Sequence, residues 1–382
     1  RKLERIVLHF YKKQFKKDNN AITRICGCYV DAEKQIRTTL KEAFFALSEE
    51  EIYKYYEIFK KSMSGSLGKN LHNLEYSIHD EGEDSAHSLL MKLRADKLSD
   101  DGDVDAFYQK VIENYDYGEN YYIILIHSAY DIPGKASDGD EMFDASDEVY
   151  SHILCCICPV KLSEPGLSYN ETTNSIEERV RDWWVQAPMT GFLFPAFNDR
   201  STDIHGLLYY SKNPEELHLE FIDTCLGCRP PISFKAQKEV FQEILSDTLG
   251  EECGYELAKQ LHENLAELAE EHKEDMEPLR LGSYEVRGLL ERSGVETEKL
   301  ERFDKVYEET AGENTTILVP AITGSGKFAV KTPDVEVKVS PDRLDLIETR
   351  TIEGRRFLLI AVEDNVEVNG MPVKMWAGGD EE

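Results

Sequence analysis

Between Glu119 and Tyr210 the chain is a succession of apolar runs of strand length: "YYIILIHSAYDIP", "EVYSHILCCICPV", "LSYN", "TGFLFPAF" and "HGLLYY". Turn residues bound each run, and the connections are too short to hold a crossover helix, with one exception near "SIEERVRDWW". Parallel neighbours need such crossovers, so these strands are expected to pair antiparallel. Pro195, inside one run, marks a strand edge or a bulge.

Helical spacing dominates on both sides. Residues 1–65 read as helical: Ser48 and Glu51 fit a capping box, Ile52, Tyr56, Phe59 and Met63 share one face, and Ser64-Gly65 ends the element. The acidic loops 79–84 and 99–105 flank a short helix around Leu89–Leu98. Three stripes follow: Val240, Phe241, Ile244 and Leu245; Leu257, Leu261, Leu265 and Leu268; then Leu300, Phe303, Val306 and Tyr307, stopped by Gly312. From Thr315 short alternating runs return, and Asn369-Gly370 signals a tight hairpin. The expected fold is therefore α+β: a central, mostly antiparallel sheet, N-terminal and C-proximal helical segments, and a small C-terminal β module. The expected segments are 1–232 for N-terminal helices plus sheet, 233–312 for the helices, 313–376 for the β module, and 377–382 as a frayed tail.

The longest apolar run is far short of the ~20 residues a bilayer span requires. With 41% apolar residues the chain can build a core despite 31% charge. The net charge of −30 argues against broad coating of a phosphate backbone. A local basic patch can still bind, and the start carries seven Lys/Arg in its first 17 residues alongside Leu3, Ile6, Val7 and Phe10 at helical spacing. That pattern is either an amphipathic contact helix or a helix docked on an acidic body.

Several motifs are weighed and set aside. "AITGSGKFAV" has Ala321 and Phe328 where a phosphate loop needs Gly and Ser/Thr, and reads as a hairpin turn at Gly324-Ser325-Gly326. "DDGDVDAFYQKVI" lacks the Gly and the closing Glu of a calcium loop and reads as a helix start. Eight cysteines, several inside apolar runs, read as small buried hydrophobes in a reducing, cytoplasmic setting. The alternative is zinc on Cys26, Cys28, Cys225 and Cys228. No nucleophile-elbow, zinc-protease or dinucleotide motif is present.

Two loops stand out. Asp131–Glu148 carries seven carboxylates against one Lys and suits a cation such as Mg²⁺, a basic partner, or plain solvation. The polar knot at residues 198–205 interrupts two apolar runs. Asn198, Asp199, Arg200, Ser201, Asp203 and His205 form a candidate binding surface. Asp199, Asp203 and His205, joined by His127 and Asp131, are also the residue types of a metal-dependent hydrolase. Asn, Asp, Ser and Thr equally suit a turn. No cofactor is expected for the binding reading, whereas the hydrolase reading takes a metal ion, Mg²⁺ or Zn²⁺.

"NAITRICGCYVD", "ENYDYGENYYIILIHSAYDIPGK", "MFDASDEVY", "CPVKLSEPGLSYN", "GFLFPAFNDRSTDIHGLLYYSKNPEEL" and "TPDVEVKVSPDRLDLIETR" resemble a family of Gram-positive bacteria catalogued only as a domain of unknown function. The resemblance runs from Asn20 to about Val373 and implies a bacterial cytoplasmic protein without an assigned activity. Arg200 on a strand, Tyr209-Tyr210, and a helix ending in Leu226-Gly227-Cys228 are more faintly similar to the thirty-seven-kilodalton bacterial nucleoid-associated family. The functional expectation is a non-enzymatic factor that binds a protein or a nucleic acid. The alternative is the metal-dependent hydrolase.

Overall fold

The computed structural model describes residues 15, 21–76, 82, 85–132, 134–135, 141–142, 148–198, 201–250, 254–272, 278–312, 315–323, 328–362, 366–368 and 370–373. The chain divides into two units, Arg1–Ala236 and Gln237–Glu382. The basic segment before Phe15, the 324–327 turn and the 377–382 tail lie outside the described residues.

Among the described residues the first unit has strands β1 (Ile22–Val30) and β2 (Ile36–Ala43), then helix α1 (Glu49–Ser62), strand β3 (Leu71–Glu75), and helices α2 (Ala86–Ala95) and α3 (Asp101–Asn114). Strands β4 (Tyr121–Ile132), β5 (Gly134–Lys135), β6 (Glu141–Met142), β7 (Glu148–Leu162), β8 (Leu167–Asn170), β9 (Ser175–Glu178), β10 (Trp183–Val185), β11 (Thr190–Phe194), β12 (Ala196–Asn198), β13 (Ser201–Asp203) and β14 (Gly206–Ser211) follow. The main sheet runs β2-β1-β4-β7-β11-β14-β3, with β10 added against β7, and every pairing is antiparallel. The expected α+β class and antiparallel central sheet are what the chain adopts.

Both faces of this sheet are covered, which explains why its central strands are unbroken apolar runs. Along β7, Ile153, Cys155 and Ile157 join one core with Leu90, Leu93 and Phe107 of α2 and α3. Leu154, Cys156 and Cys158 join the opposite core with Tyr56 and Phe59 of α1. Period-2 side-chain alternation buries every residue when neither face meets water.

Two segments depart from their sequence patterns. Residues 22–43 form a β-hairpin rather than a helix. Asp31 closes its turn by accepting from the backbone N–H of Glu33 and Gln35, and Lys34 takes a positive φ. "SIEERVRDWW" supplies β9 and β10 rather than a crossover helix. The helical expectations at 48–63 and 101–114 are met, with a capping box at Ser48/Glu51 and Asp100 capping α3.

The second unit has its own core. Phe241 and Ile244 of α4 (Phe234–Leu249), Leu261 and Leu265 of α5 (Tyr255–Glu271), Val286 and Leu289 of α6 (Ser283–Arg292), and Leu300 and Phe303 of α7 (Thr297–Ala311) meet there. The strand pair Arg280–Leu281 and Ile317–Leu318 closes it. A short helix Val319–Thr323 and largely exposed two-stranded hairpins at 328–339, 347–360 and 366–373, with Phe328 and Ile347 buried, follow.

Candidate functional site

The register of β7 places the functional candidates at its two ends. Phe194 of β11 pairs with Ile153, and His127 of β4 also pairs with Ile153. Both polar loops therefore leave from the Tyr150 end of the sheet. There β4 and β7 continue as a ribbon through Ile132 and Glu148, and β12 and β13 form a small hairpin pairing Asn198 with Ser201. The Tyr150 ring lies 5.0 Å from that of Phe197, and its hydroxyl donates to the Pro195 carbonyl.

The polar knot is in large part a tied turn. Asp203 Oδ1 accepts from the His205 N–H at 3.0 Å. The His205 carbonyl accepts from Tyr76 N at 2.9 Å. His87 Nε2 donates to the Ile204 carbonyl at 2.8 Å. The His205 side chain is exposed and Asp203 is half-buried. Asp199 and Arg200 lie outside the described residues, as do the side chains of Asn198, Ser201 and Asp131.

His127 has a different role from the one its residue type suggests. It is fully buried, and both ring nitrogens are engaged: Nδ1 with Thr23 Oγ1 at 2.7 Å and Nε2 with Ser151 Oγ at 3.0 Å. Burial, reinforced by the cations Lys97 and Arg94, lowers its pKa to about 4. Arg94 Nε donates to the Ser151 carbonyl at 2.7 Å. Thr23 is exposed and Ser151 half-buried, so this chain of hydrogen bonds runs from an exposed threonine through a buried imidazole to a half-buried serine. Sequence reading singled out His127 and missed Thr23 and Ser151, because only the three-strand register brings them together.

Among the described residues, no group of three or more His, Cys, Asp or Glu side chains is gathered to hold a metal ion. His127, Asp203 and His205 do not converge as the metal-dependent hydrolase reading needs. Cys26, Cys28, Cys225 and Cys228 are buried thiols outside any disulfide. Burial pushes the thiols of Cys26, Cys28 and Cys225 up to about 11, 12 and 12. They keep their protons and pack as small hydrophobes.

At the opposite end of β7 lies a feature that sequence reading passed over. β8 and β9 form a hairpin in which Tyr169 pairs with Ile176 and Leu167 with Glu178. Its apolar face is the exposed one: Leu167 is 76% exposed, Ile176 65% and Tyr169 57%. Ser168, Asn170, Ser175 and Glu177 on the other face are half-buried. β10 then pairs Trp183 with Leu162 and Trp184 with Lys161. Adjacent residues in a strand point to opposite faces, yet Trp183 and Trp184 are 56% and 55% exposed, so neither face is covered here. The arm is held in place: Arg181 Nε donates to the Ser163 carbonyl at 2.7 Å and Arg179 N to the Gly166 carbonyl at 2.9 Å. The missed signal was Asn170–Asn174 as a turn between two alternating runs, with Asn174 at positive φ.

Residues 7–371 match the family model described as Domain of unknown function (DUF4317). The match is to the first of the two families the sequence resembles, and the likeness to the nucleoid-associated family is not shown by it. None of the curated proteins matches the chain. Among the described residues, no helix is long and apolar enough to cross a membrane.

Proposed function

The chain belongs to the DUF4317 family, whose description assigns no activity, and from that footing we propose that it is a binding protein whose arm, residues 163–185, docks a cationic protein segment. The observation that carries this reading is the outward-turned apolar face of the arm. Contiguous exposed apolar surface is costly to hydrate and marks interaction sites in folded proteins. Tyr and Trp are the side chains that contribute most when an interface forms.

Charge selects the partner class. The arm holds Glu164, Glu171, Glu177, Glu178 and Asp182 against Arg179 and Arg181. Within a chain of net charge −30, this disfavours both nucleic acid and a second copy, and favours a basic surface with alternating apolar residues. An extended segment of that pattern would set its apolar side on Leu167, Tyr169 and Ile176, with a cation at its edge near Glu178 on the same face.

The test titrates the full chain into a short fluorescein-labelled peptide alternating Val and Lys, following the fluorescence anisotropy of the peptide. The expected result is saturable binding that weakens with salt, absent with a Val/Glu peptide and weakened roughly tenfold or more by Trp183→Ala with Trp184→Ala. Equal response to both peptides, or none, defeats the reading. Preference for duplex DNA over the Val/Lys peptide favours the nucleic-acid reading instead.

A further inference from the structure

The geometry points to Ser151 as a nucleophile activated by His127, with Thr23 as its positioning residue, in an ester-cleaving site at the Tyr150 end of the sheet. Proton accounting assigns the direction of the chain. Thr23 has one hydroxyl proton, and its oxygen lies 3.3 Å from the His127 carbonyl oxygen, which can only accept. Both Thr23 contacts are satisfied together only if the hydroxyl donates to that carbonyl and accepts from Nδ1–H. That leaves Nε2 as a bare lone pair, and Ser151 Oγ–H at 3.0 Å is its donor. This is the arrangement of a hydroxyl nucleophile and its general base, with a third group holding the tautomer. Burial keeps the imidazole neutral at ordinary pH, the form a base requires.

A cation is bonded to the same residue. Arg94 is anchored through Nε on the Ser151 carbonyl, and among the described residues its two terminal NH₂ groups make no hydrogen bond. Lys97 follows on the same segment and is exposed. These are the groups that would stabilise an oxyanion, and they favour an ester that itself bears an anionic group.

In the reaction, Ser151 Oγ bonds to the ester carbonyl carbon as its proton passes to His127 Nε2. The carbon–alkoxide bond then breaks and the alkoxide takes that proton, leaving an acyl-serine and free alcohol. Water attacks the acyl carbon, its proton goes to Nε2, and Ser151 departs reprotonated, releasing the acid.

The full chain is treated with a fluorophosphonate probe, which phosphonylates an activated serine with loss of fluoride. The modified peptide is then identified by mass spectrometry. Labelling at Ser151 is expected, abolished by Ser151→Ala and slowed at least ~100-fold by His127→Gln. Because His127 is buried and its replacement can unfold the chain, exposed Thr23 provides a second variant. Thr23→Val slows labelling roughly tenfold while Thr23→Ser restores it, a pattern that loss of packing alone does not produce. Labelling of the folded protein at another serine, no labelling at all, or equal rates for Thr23→Val and wild type would each overturn the assignment.

Discussion

His127 and His152 are fully buried on neighbouring strands, and both are neutral for the same first reason. Burial lowers His127 to about 4, helped by Lys97 and Arg94 and opposed by Asp96. Burial lowers His152 to about 3, helped by His127 and Arg94 and opposed by its bond to the Tyr150 carbonyl. An unfolded histidine takes its proton near 6.5. Between that pH and about 4 the unfolded chain binds protons the folded chain refuses, so stability falls as pH drops through this window. Each histidine contributes up to about 1.4 kcal/mol per pH unit. Carboxylate protonation overlaps this range, so the check is a difference: His152→Gln should flatten the decline in denaturant-derived stability by about one proton's slope relative to wild type. Parallel curves would show that His152 titrates normally. Residue type marked His127 for function, but its partners lie 104 and 24 positions away, and no local pattern encodes that pairing.

At the scale of elements, helices with strong caps and strands with unbroken apolar runs were legible because each signal is local. The hairpin β1–β2 was not, because β2 is an exposed edge with no buried residue, so it carries no alternating pattern to set against the helical stripe that follows at Ile52–Met63. Its packing turns on a position that sequence alone leaves unremarked. A Cβ at Gly27 would lie 2.0 Å from the Tyr122 hydroxyl and 2.6 Å from its ring, while that hydroxyl bonds Tyr55 at 3.1 Å. Gly27→Ala should therefore cost about 1–3 kcal/mol by overpacking. Tyr122→Val removes the obstruction, so the double variant should lose less stability than the two single losses added together. Strict additivity in urea melts would mean the ring moves aside freely. At the far end of β7, Trp183 and Trp184 follow a run whose charged residues suggest a helix and hide a strand. Their exposure means that replacing both with Ser should leave the melting temperature nearly unchanged, since surface substitutions usually fall within about 0.5 kcal/mol. A large loss would show that the arm serves the fold rather than a partner.

For the whole molecule, the sequence pattern conveyed three helical stripes after residue 233 but not that they share one core with the strand pair at 280–281 and 317–318. Such a pair is too short to leave a period, and α6 was overlooked between two stronger stripes. The core at Phe241, Ile244, Val286, Leu289, Leu300 and Phe303 is assembled within the second unit. Gln237 secures its strand pair by accepting from the Leu318 N–H at 2.8 Å. Ser233 Oγ accepts from Ala236 N at 3.2 Å as an N-cap does for α4, so a cut that preserves the helix falls before Ser233, in the stretch "RPPI". A fragment of residues 233–382 is long enough to bury a core of its own. It should fold alone, with helical circular dichroism and a cooperative thermal transition. Leu289→Ala within it should lower that transition by about 2–5 kcal/mol of stability. The same substitution in the full chain should weaken this unit's transition and leave the sheet unit's own melting in place, because among the described residues its two cores draw no side chain from the helical one. A fragment that stays unstructured, or a full chain in which Leu289→Ala unfolds both units together, would mean the two depend on each other for stability.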